Sequence, residues 1–354
     1  MTFRFSPPLA ALTGLAFALA AALPTAALAE RLVTDQLGKA VRLPDRVERA
    51  VVLQHQSLNI AVQLDALGRV VGVLDEWKKQ LGAGFARLAP GVDELATPGG
   101  LTSVNVEELL KLRPDVVIVT NYAPADMRAR IEAVGLPVVA VSLLAVPPEE
   151  AVKLNPTVVD EPKAYEDGFR DGVRLIAEVF GATDAGEALL RAAGETRALV
   201  AERLKDVAPE ARVRAYMANP DLTTYGRGKY TGLMMERAGA LNVAAASIKG
   251  YKQVSMEQVL AWNPSVIFVQ DRYPAVVEEI RTSPAWAPIE ATGTGRIYLM
   301  PEYAKAWGYP MPEALSVGEL WMAKQLYPTR FADVDVDARA DAYYRRFYRV
   351  PFKP

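Results

Sequence analysis

Short apolar runs alternate with amphipathic stretches along most of the chain. In the first half, the apolar runs lie at 50–54, 70–75, 115–121 and 137–143, and helical spacing is found near 57–67, 105–113 and 125–135. In the second half, the runs lie at 212–218, 265–271 and 296–300, with helical spacing near 230–239, 255–262 and 312–326. The runs are rich in β-branched residues, which is typical of parallel strands covered on both faces. The pattern predicts an α/β fold with central parallel sheets.

The two halves contain a repeat at an offset of 150 residues. VNVEELLKLRPDVVIVTNYAP (104–124) aligns without gaps with VSMEQVLAWNPSVIFVQDRYP (254–274). Seven of the 21 positions are identical, namely Val104/Val254, Glu107/Glu257, Leu110/Leu260, Pro114/Pro264, Val116/Val266, Val119/Val269 and Pro124/Pro274. Any helix followed by a buried strand would share part of this pattern. The burial of such a unit does not explain the shared glutamate on the helix or the shared loop with Tyr and Pro. We therefore expect two lobes with related folds.

The segments outside these runs define the expected domains. A hairpin is predicted from Leu32 to Leu43, turning at Gly38. Helical spacing from Pro162 to Val207, broken near Gly181, predicts a long rigid helix and a second helix, with limited hinge motion. The expected domains are an N-terminal α/β lobe at 30–160, the linker helix and the following helix at 161–208, and a C-terminal α/β lobe at 209–354.

The first 29 residues have the layout of a secretory signal peptide. Arg4 precedes an apolar stretch from Leu9 to Leu23, and Ala27-Leu28-Ala29 forms an A-x-A cleavage site. A membrane anchor is the alternative, but the apolar stretch is short and Pro24 follows it. Since the chain has no Cys, a lipid anchor is excluded. We expect cleavage after Ala29 and a periplasmic location.

Composition removes several classes of function. The 40 Lys and Arg against 42 Asp and Glu give a net charge of −2, so nothing favours a nucleic-acid partner. The absence of Cys excludes disulfides, thiolate zinc sites, iron–sulfur clusters and cysteine nucleophiles. The single histidine, His55, would have to serve any Ser-His-Asp triad. Because there is also no G-x-S-x-G motif, a secreted α/β hydrolase is disfavoured and no enzyme is expected.

Several segments together resemble a known family. They are VTDQLGKAVRLPDRVERAVVL (33–53), ALGRVVGV (66–73), the repeated pair, MERAGALNVA (235–244) and GELWMAKQLYPTRF (318–331). Their order and spacing resemble periplasmic substrate-binding proteins of ABC importers for ferric siderophores, haem and vitamin B12. The resemblance implies two related α/β lobes bridged by a long rigid helix, with a ligand cleft between them. The chain departs from the family at Gly239-Ala240, where two glycines are frequent.

The resemblance also implies a partner. In this family one glutamate on each lobe docks onto the transporter, and the repeat places Glu107 and Glu257 in that role. A two-fold permease with matching Arg pockets would suit such a pair, because carboxylate–Arg contacts fix orientation well. The alternative is an exposed helix face on which acidic residues near the N-terminus favour the helix dipole. We expect an inner-membrane permease partner and a monomeric binding protein.

Ligands of open α/β sheets bind beyond the carboxyl ends of the strands. The loops at these ends carry the candidate ligand-binding residues His55, Trp77, Tyr122, Tyr225, Arg227, Lys229, Tyr230, Arg272, Tyr273 and Tyr303. Phenolate oxygen suits ferric iron, and Arg and Lys balance an anionic chelate, so His55 and Tyr225 are candidate metal ligands. The alternatives are that His55 is a packed or surface residue and that some of the tyrosines are structural.

The sequence therefore predicts a protein that captures a ferric siderophore or a similar metal chelate and delivers it to an ABC importer. Haem or cobalamin, within the same family, is the alternative ligand. No intrinsic cofactor is expected. An extracellular scaffold or signalling module is a third class, which a cleft without a tight ligand would favour.

Overall fold

The first secondary structure in the described residues is a hairpin. The computed structural model describes residues 1–3, 30–82, 84–305 and 308–352, so most of the predicted signal peptide, residues 4–29, lies outside the described residues. Strands β1 (Glu30–Thr34) and β2 (Ala40–Pro44) pair antiparallel and turn at Gly38, as the sequence predicts. Within the described ranges, no helix combines the length and the apolar composition needed to span a membrane.

The first lobe is built on a five-stranded parallel sheet. Its elements in chain order are β3 (Ala50–Val52), α1 (His55–Gln63), β4 (Val70–Leu74), α2 (Trp77–Leu81), α3 (Phe85–Leu88), β5 (Ala96–Gly99), α4 (Val106–Lys111), β6 (Val116–Thr120), α5 (Ala125–Ala133), β7 (Val138–Val141) and α6 (Pro148–Ala151). The strands lie in the order β5-β4-β3-β6-β7. All residues of β3, β6 and β7 are buried, which explains their unbroken apolar sequences.

Two long helices follow, α7 (Glu161–Val179) and α8 (Thr183–Leu204). At 1.5 Å per residue, α7 is roughly 28 Å long. Gly168 lets it lie directly against the first lobe, because a Cβ there would sit 2.2 Å from the Cα of Leu144. Nearer its start, Tyr165 packs edge-on against Tyr230 of the second lobe, with ring centroids 5.8 Å apart. This is the long helix that the sequence predicts between the lobes.

The second lobe contains a four-stranded parallel sheet. Its elements in chain order are β8 (Val213–Ala218), β9 (Thr223–Tyr225), α9 (Tyr230–Arg237), β10 (Ala240–Asn242), β11 (Tyr251–Gln253), α10 (Met256–Trp262), β12 (Val266–Val269), α11 (Pro274–Thr282), α12 (Glu290–Gly293), β13 (Ile297–Leu299), α13 (Glu319–Leu326) and α14 (Val336–Phe347). The parallel strands lie in the order β10-β8-β12-β13, and β9 pairs antiparallel with β11. Strands β9, β10 and β11 have three residues each, too few for a recognisable sequence period.

The repeat corresponds to the same structural unit in both lobes. Strand β6 lies beside the first strand of its sheet, β3, and β12 lies beside the first strand of its sheet, β8. The preceding helices α4 and α10 are both N-capped by a side chain, of Asn105 and Ser255 respectively. Each helix-to-strand turn passes through a left-handed residue, Arg113 with φ 44° and Asn263 with φ 38°. The two lobes therefore share strand order and local geometry, and the first has one additional edge strand, β5.

The C-terminal segment does not pack on the second lobe alone. Helix α14 and the residues after it lie against α1 of the first lobe. Tyr343 donates to Gln63 Oε1 at 2.5 Å, and Tyr348 donates to Asn59 Oδ1 at 2.7 Å. The C-terminal segment therefore contacts the first lobe as well as the second.

A buried carboxylate completes this contact. Glu313 is fully buried just before a π-helical turn (Ala314–Gly318) that leads into α13. Its oxygens accept from Asn59 Nδ2 at 2.9 and 3.0 Å and from Gln63 Nε2 at 3.0 Å. Because the bonded groups lie one and two turns along α1, the carboxylate fixes that helix against the second half of the chain.

Candidate ligand-binding cleft

A cavity of about 380 Å³ lies between the lobes, where loops from the carboxyl ends of both sheets meet. His55, after β3, and Tyr122, after β6, line it from the first lobe. Tyr225, Lys229 and Arg272 line it from the second lobe. These are five of the ten ligand-binding residues that the sequence predicts. His55, Tyr122 and Arg272 lie just beyond the carboxyl ends of parallel strands, as the strand-end rule expects.

His55 is the first residue of α1 and is almost fully buried at the cavity wall. Burial lowers the pKa of His55 to about 3, and the positive charges of Arg272 and Lys305 add smaller contributions in the same direction. The imidazole is therefore neutral at physiological pH and donates from one ring nitrogen only. Its Nδ1 atom is buried and has no hydrogen-bond partner within the described part of the chain. A buried unpaired ring nitrogen at a cavity wall is a polar group available to a ligand.

The start of α1 adds further donors to this wall. The side-chain amide of the N-cap residue Gln54 already has two partners. Its Nε2 donates to the Val141 carbonyl at 3.0 Å, and its Oε1 accepts from Ser57 Oγ at 2.5 Å. It does not cap the helix. The first-turn N–H groups of an α-helix have no carbonyl partner inside it, and they carry the positive end of the helix dipole. Since His55 and Gln56 line the cavity, this helix end favours an anion there.

Two cations face the same space from the second lobe. Lys229 Nζ donates to the Leu154 carbonyl at 3.0 Å and lies 5.3 Å from the Tyr309 ring centroid. Burial lowers its pKa to about 8. Arg272 Nε donates to Gln270 Oε1 at 3.1 Å, and its guanidinium lies over the Tyr273 ring at 4.9 Å. Among the described residues that line the cavity there is no Asp or Glu.

Phenol groups form much of the remaining wall. Tyr225 and Tyr251 lie with ring centroids 4.6 Å apart, and Tyr122 and Tyr309 line the same cavity. Burial raises the pKa of Tyr225 to about 12 and also raises the pKa of Tyr122. Protonated phenols donate hydrogen bonds, and a raised pKa makes the phenolate that ferric iron requires more costly to form. In the described ranges, no three His, Asp or Glu residues come together as a metal site either.

The other five predicted residues do not line this cavity. Trp77 packs on Phe85 inside the first lobe, at 6.1 Å between centroids, and Tyr303 packs on Phe352 at 5.0 Å. Tyr230 is buried and donates to Glu319 Oε1 at 3.0 Å. Of the last two, Arg227 is exposed, and Tyr273 lies beneath the guanidinium of Arg272.

Tyr251 and Asn155 are among the lining residues that were not predicted from the sequence. Tyr251 comes beside Tyr225 because β11 pairs with β9 in that register. Asn155 reaches the cavity from the loop after α6, next to Leu154, which binds Lys229. No periodic pattern marks either segment. A tyrosine 26 residues from another gives no sequence signal of contact without the strand pairing.

The predicted docking glutamates lie on exposed helix surface outside the cavity. Glu107 and Glu257 both occupy the first turn of their helices, α4 and α10. The neighbouring Glu108 pairs with Lys111 at 2.6 Å, whereas within the described chain no ion pair involves Glu107 or Glu257. A hydrogen bond from Ser255 lowers the pKa of Glu257, so that carboxylate is charged at neutral pH.

Two α/β lobes joined by a helix, with a polar cavity between them, define a protein that holds a small solute between domains. A family model described as a periplasmic binding protein matches residues 51–304. The molybdate-binding protein MolA of Haemophilus influenzae is 60% identical over 336 residues, covering 95% of this chain and 96% of MolA. The Fe(3+)-citrate-binding protein YfmC of Bacillus subtilis is 24% identical over 76% of this chain and 77% of its own length.

Solved structures agree with this similarity. The structure of MolA bound to molybdate matches with a TM-score of 0.88, covering 92% of this chain and 99% of that one. A periplasmic solute-binding protein of Veillonella parvula, 22% identical, matches with a TM-score of 0.75 over 91% of this chain and 94% of that one. The chain belongs to the periplasmic binding protein family. It is a solute-binding protein of an ABC transporter and not an enzyme, and a periplasmic location is consistent with this family.

The single histidine gives a direct test of the cavity wall. In NMR spectra His55 contributes one set of imidazole signals. We expect no titration near the ordinary value of 6.5 and a midpoint at about 3, because burial and two cations oppose protonation. The urea-unfolded protein is the control and should titrate at roughly 6.5. A midpoint near 6.5 in the folded protein would show that His55 is solvated and does not line a closed polar wall.

Proposed function

We propose that the cleft binds molybdate, a tetrahedral oxyanion with two negative charges, and presents it to an ABC importer. The observation that carries the proposal is the cavity wall itself, where Lys229, Arg272 and a neutral His55 face a space lined by no carboxylate among the described residues. Charge-assisted hydrogen bonds to an oxyanion are stronger than neutral ones. The similarity to MolA, at 60% identity, supports the same ligand.

Each wall would supply a different part of the binding energy. The ammonium of Lys229 and the guanidinium of Arg272 balance the charge of the anion. His55 and the tyrosine hydroxyls donate hydrogen bonds without adding charge, and the start of α1 adds backbone N–H groups. Donors from both lobes on one small anion would favour the arrangement in which the lobes stay together.

A ferric chelate is the second candidate. The cavity of about 380 Å³ exceeds what one tetrahedral oxyanion fills, and four tyrosine rings line it. Water at roughly 30 Å³ per molecule would fill the rest around molybdate. An aromatic chelate would fill it directly. Burial raises the pKa of Tyr225 to about 12, which makes iron ligation by its phenolate more costly and leaves its hydroxyl as a hydrogen-bond donor for an oxyanion.

Calorimetric titration separates these ligands and tests the cations. We expect binding of molybdate by the unmodified protein and no comparable binding of ferric citrate, a ferric catecholate, haem or cobalamin. Lys229→Gln should weaken molybdate binding by about 10- to 100-fold, because it removes a charge-assisted hydrogen bond. Arg227→Gln removes the same charge two residues away, on exposed surface, and should leave the affinity nearly unchanged.

The pH dependence follows from the pKa of Lys229, which is about 8 in the free protein. An anion binds the protonated amine, so affinity should be constant well below that value and fall as the pH rises through it. Lys229→Arg should flatten the profile, because a guanidinium stays charged. Tight binding of a ferric chelate without molybdate binding, or equal losses in the Lys229 and Arg227 variants, would contradict the proposed site.

We further propose that Glu107 and Glu257 dock the loaded protein onto the importer. Both carboxylates are exposed, occupy equivalent positions in the two lobes and are free of ion pairs within the described chain. A membrane partner with two equivalent basic sites would therefore bind both lobes in one orientation.

Transport assays with glutamine variants test this docking. The double variant Glu107→Gln/Glu257→Gln should lose most molybdate uptake while its molybdate affinity in solution stays unchanged, because neither residue lines the cleft. Each single variant should retain part of the uptake. Glu108→Gln is the control, since that carboxylate already pairs with Lys111. Full molybdate uptake by the double variant would show that Glu107 and Glu257 are not required for docking.

A further inference from the structure

The seven identical positions of the repeat differ in what the fold requires of them. Pro114, Val116 and Val119 are buried, and so are their counterparts at 264, 266 and 269. Val104 and Pro124 are partly buried in the first copy. In the second copy Val254 is buried, whereas Pro274 is exposed at the first position of α11, where proline is favoured for its fixed φ. Packing or helix geometry within each lobe therefore accounts for these five identities. Only the Glu107/Glu257 and Leu110/Leu260 positions are exposed in both copies, so packing does not account for them.

The two leucines are unusual among the exposed positions. Leu110 is 43% exposed and Leu260 is 37% exposed. Neither is needed to hold its helix on its lobe, because the preceding residues, Leu109 and Val259, are completely buried and make that contact. A large apolar side chain kept at one exposed position in both lobes indicates a contact outside the chain.

Spacing ties the leucines to the glutamates. Glu107 and Leu110 are three residues apart on α4, and Glu257 and Leu260 are three apart on α10. Residues at this spacing lie on the same face of a helix. Each lobe therefore presents one exposed carboxylate beside one exposed leucine, and the two lobes present the same pair.

We propose that Leu110 and Leu260 are the apolar half of a two-point docking surface for the permease, each binding a depression beside a basic group. This inference rests on the proposed docking role of Glu107 and Glu257. The duplicated surface matches a partner with two equivalent sites, as in a two-fold permease. A second copy of this chain is a less suitable partner for this surface, because its Glu107 and Glu257 carboxylates would face those of the first copy and repel them.

The glutamate contact and the leucine contact in each lobe respond differently to salt. A carboxylate–cation contact at a rim weakens as salt screens it. An apolar contact is not screened, and its strength follows the area removed from water. Salt dependence therefore separates the contribution of each leucine from that of its glutamate.

Binding to the purified permease complex in lipid nanodiscs tests the proposal. Leu110→Ser and Leu260→Ser should each raise the Kd for the permease by roughly 5- to 10-fold, and the double variant by the product of the two. These increases should persist at about 0.5 M salt, whereas the increases caused by Glu107→Gln and Glu257→Gln should shrink. Leu241→Ser is the matched control, because that leucine is 41% exposed on β10 and has no counterpart in the repeat.

The outcomes separate the two proposals. Molybdate affinity and melting temperature, measured on every variant, should match those of the unmodified protein, since neither leucine is buried or lines the cleft. If the glutamate variants bind the permease weakly but the leucine variants bind normally, the leucine inference is wrong and the docking role of the glutamates stands. If neither set weakens binding, the docking proposal itself fails. A loss equal to that of Leu241→Ser would also overturn the inference.

Discussion

The position of α1 depends on the buried carboxylate of Glu313. This group receives three hydrogen bonds from Asn59 and Gln63, and the C-terminal tyrosines bond the same two side chains. A buried charge without these donors would cost several kcal/mol, so the network is stable only when complete. The helix it holds carries His55 at its other end, in the cleft. The same network that joins the first lobe to the C-terminal segment therefore sets the ligand-binding wall.

With α1 held in place, the groups that line the cleft are mainly hydrogen-bond donors and cations. The cleft combines cations from the second lobe with neutral donors from the first, and the described residues add no carboxylate to its lining. Desolvation lowers the pKa values of His55 and Lys229 because charge is unfavourable on buried side chains. An incoming dianion would reverse that balance at Lys229. This chemistry is the basis on which we propose an anionic ligand for the cleft.

Sequence reasoning could locate this site in part. His55, Tyr122 and Arg272 lie just beyond the ends of the parallel strands β3, β6 and β12, so the strand-end rule finds them without any knowledge of packing. Lys229 and Tyr230 come from the longer segment after β8, and Tyr230 turns inward to Glu319, a residue 89 positions later in the chain. Long-range packing of this kind has no local signal. The choice of ligand was also beyond the sequence pattern, because tyrosines and cations in a cleft suit a ferric chelate as well as an oxyanion.

The most direct test is a crystal structure grown with molybdate, with the metal located by its anomalous scattering. The account predicts one molybdenum peak in the interlobe cavity, with its oxygens at roughly 2.7–3.2 Å from Lys229 Nζ, a ring nitrogen of His55 and the Arg272 guanidinium. A peak on another surface, or a cavity without molybdenum at saturating molybdate, would contradict it.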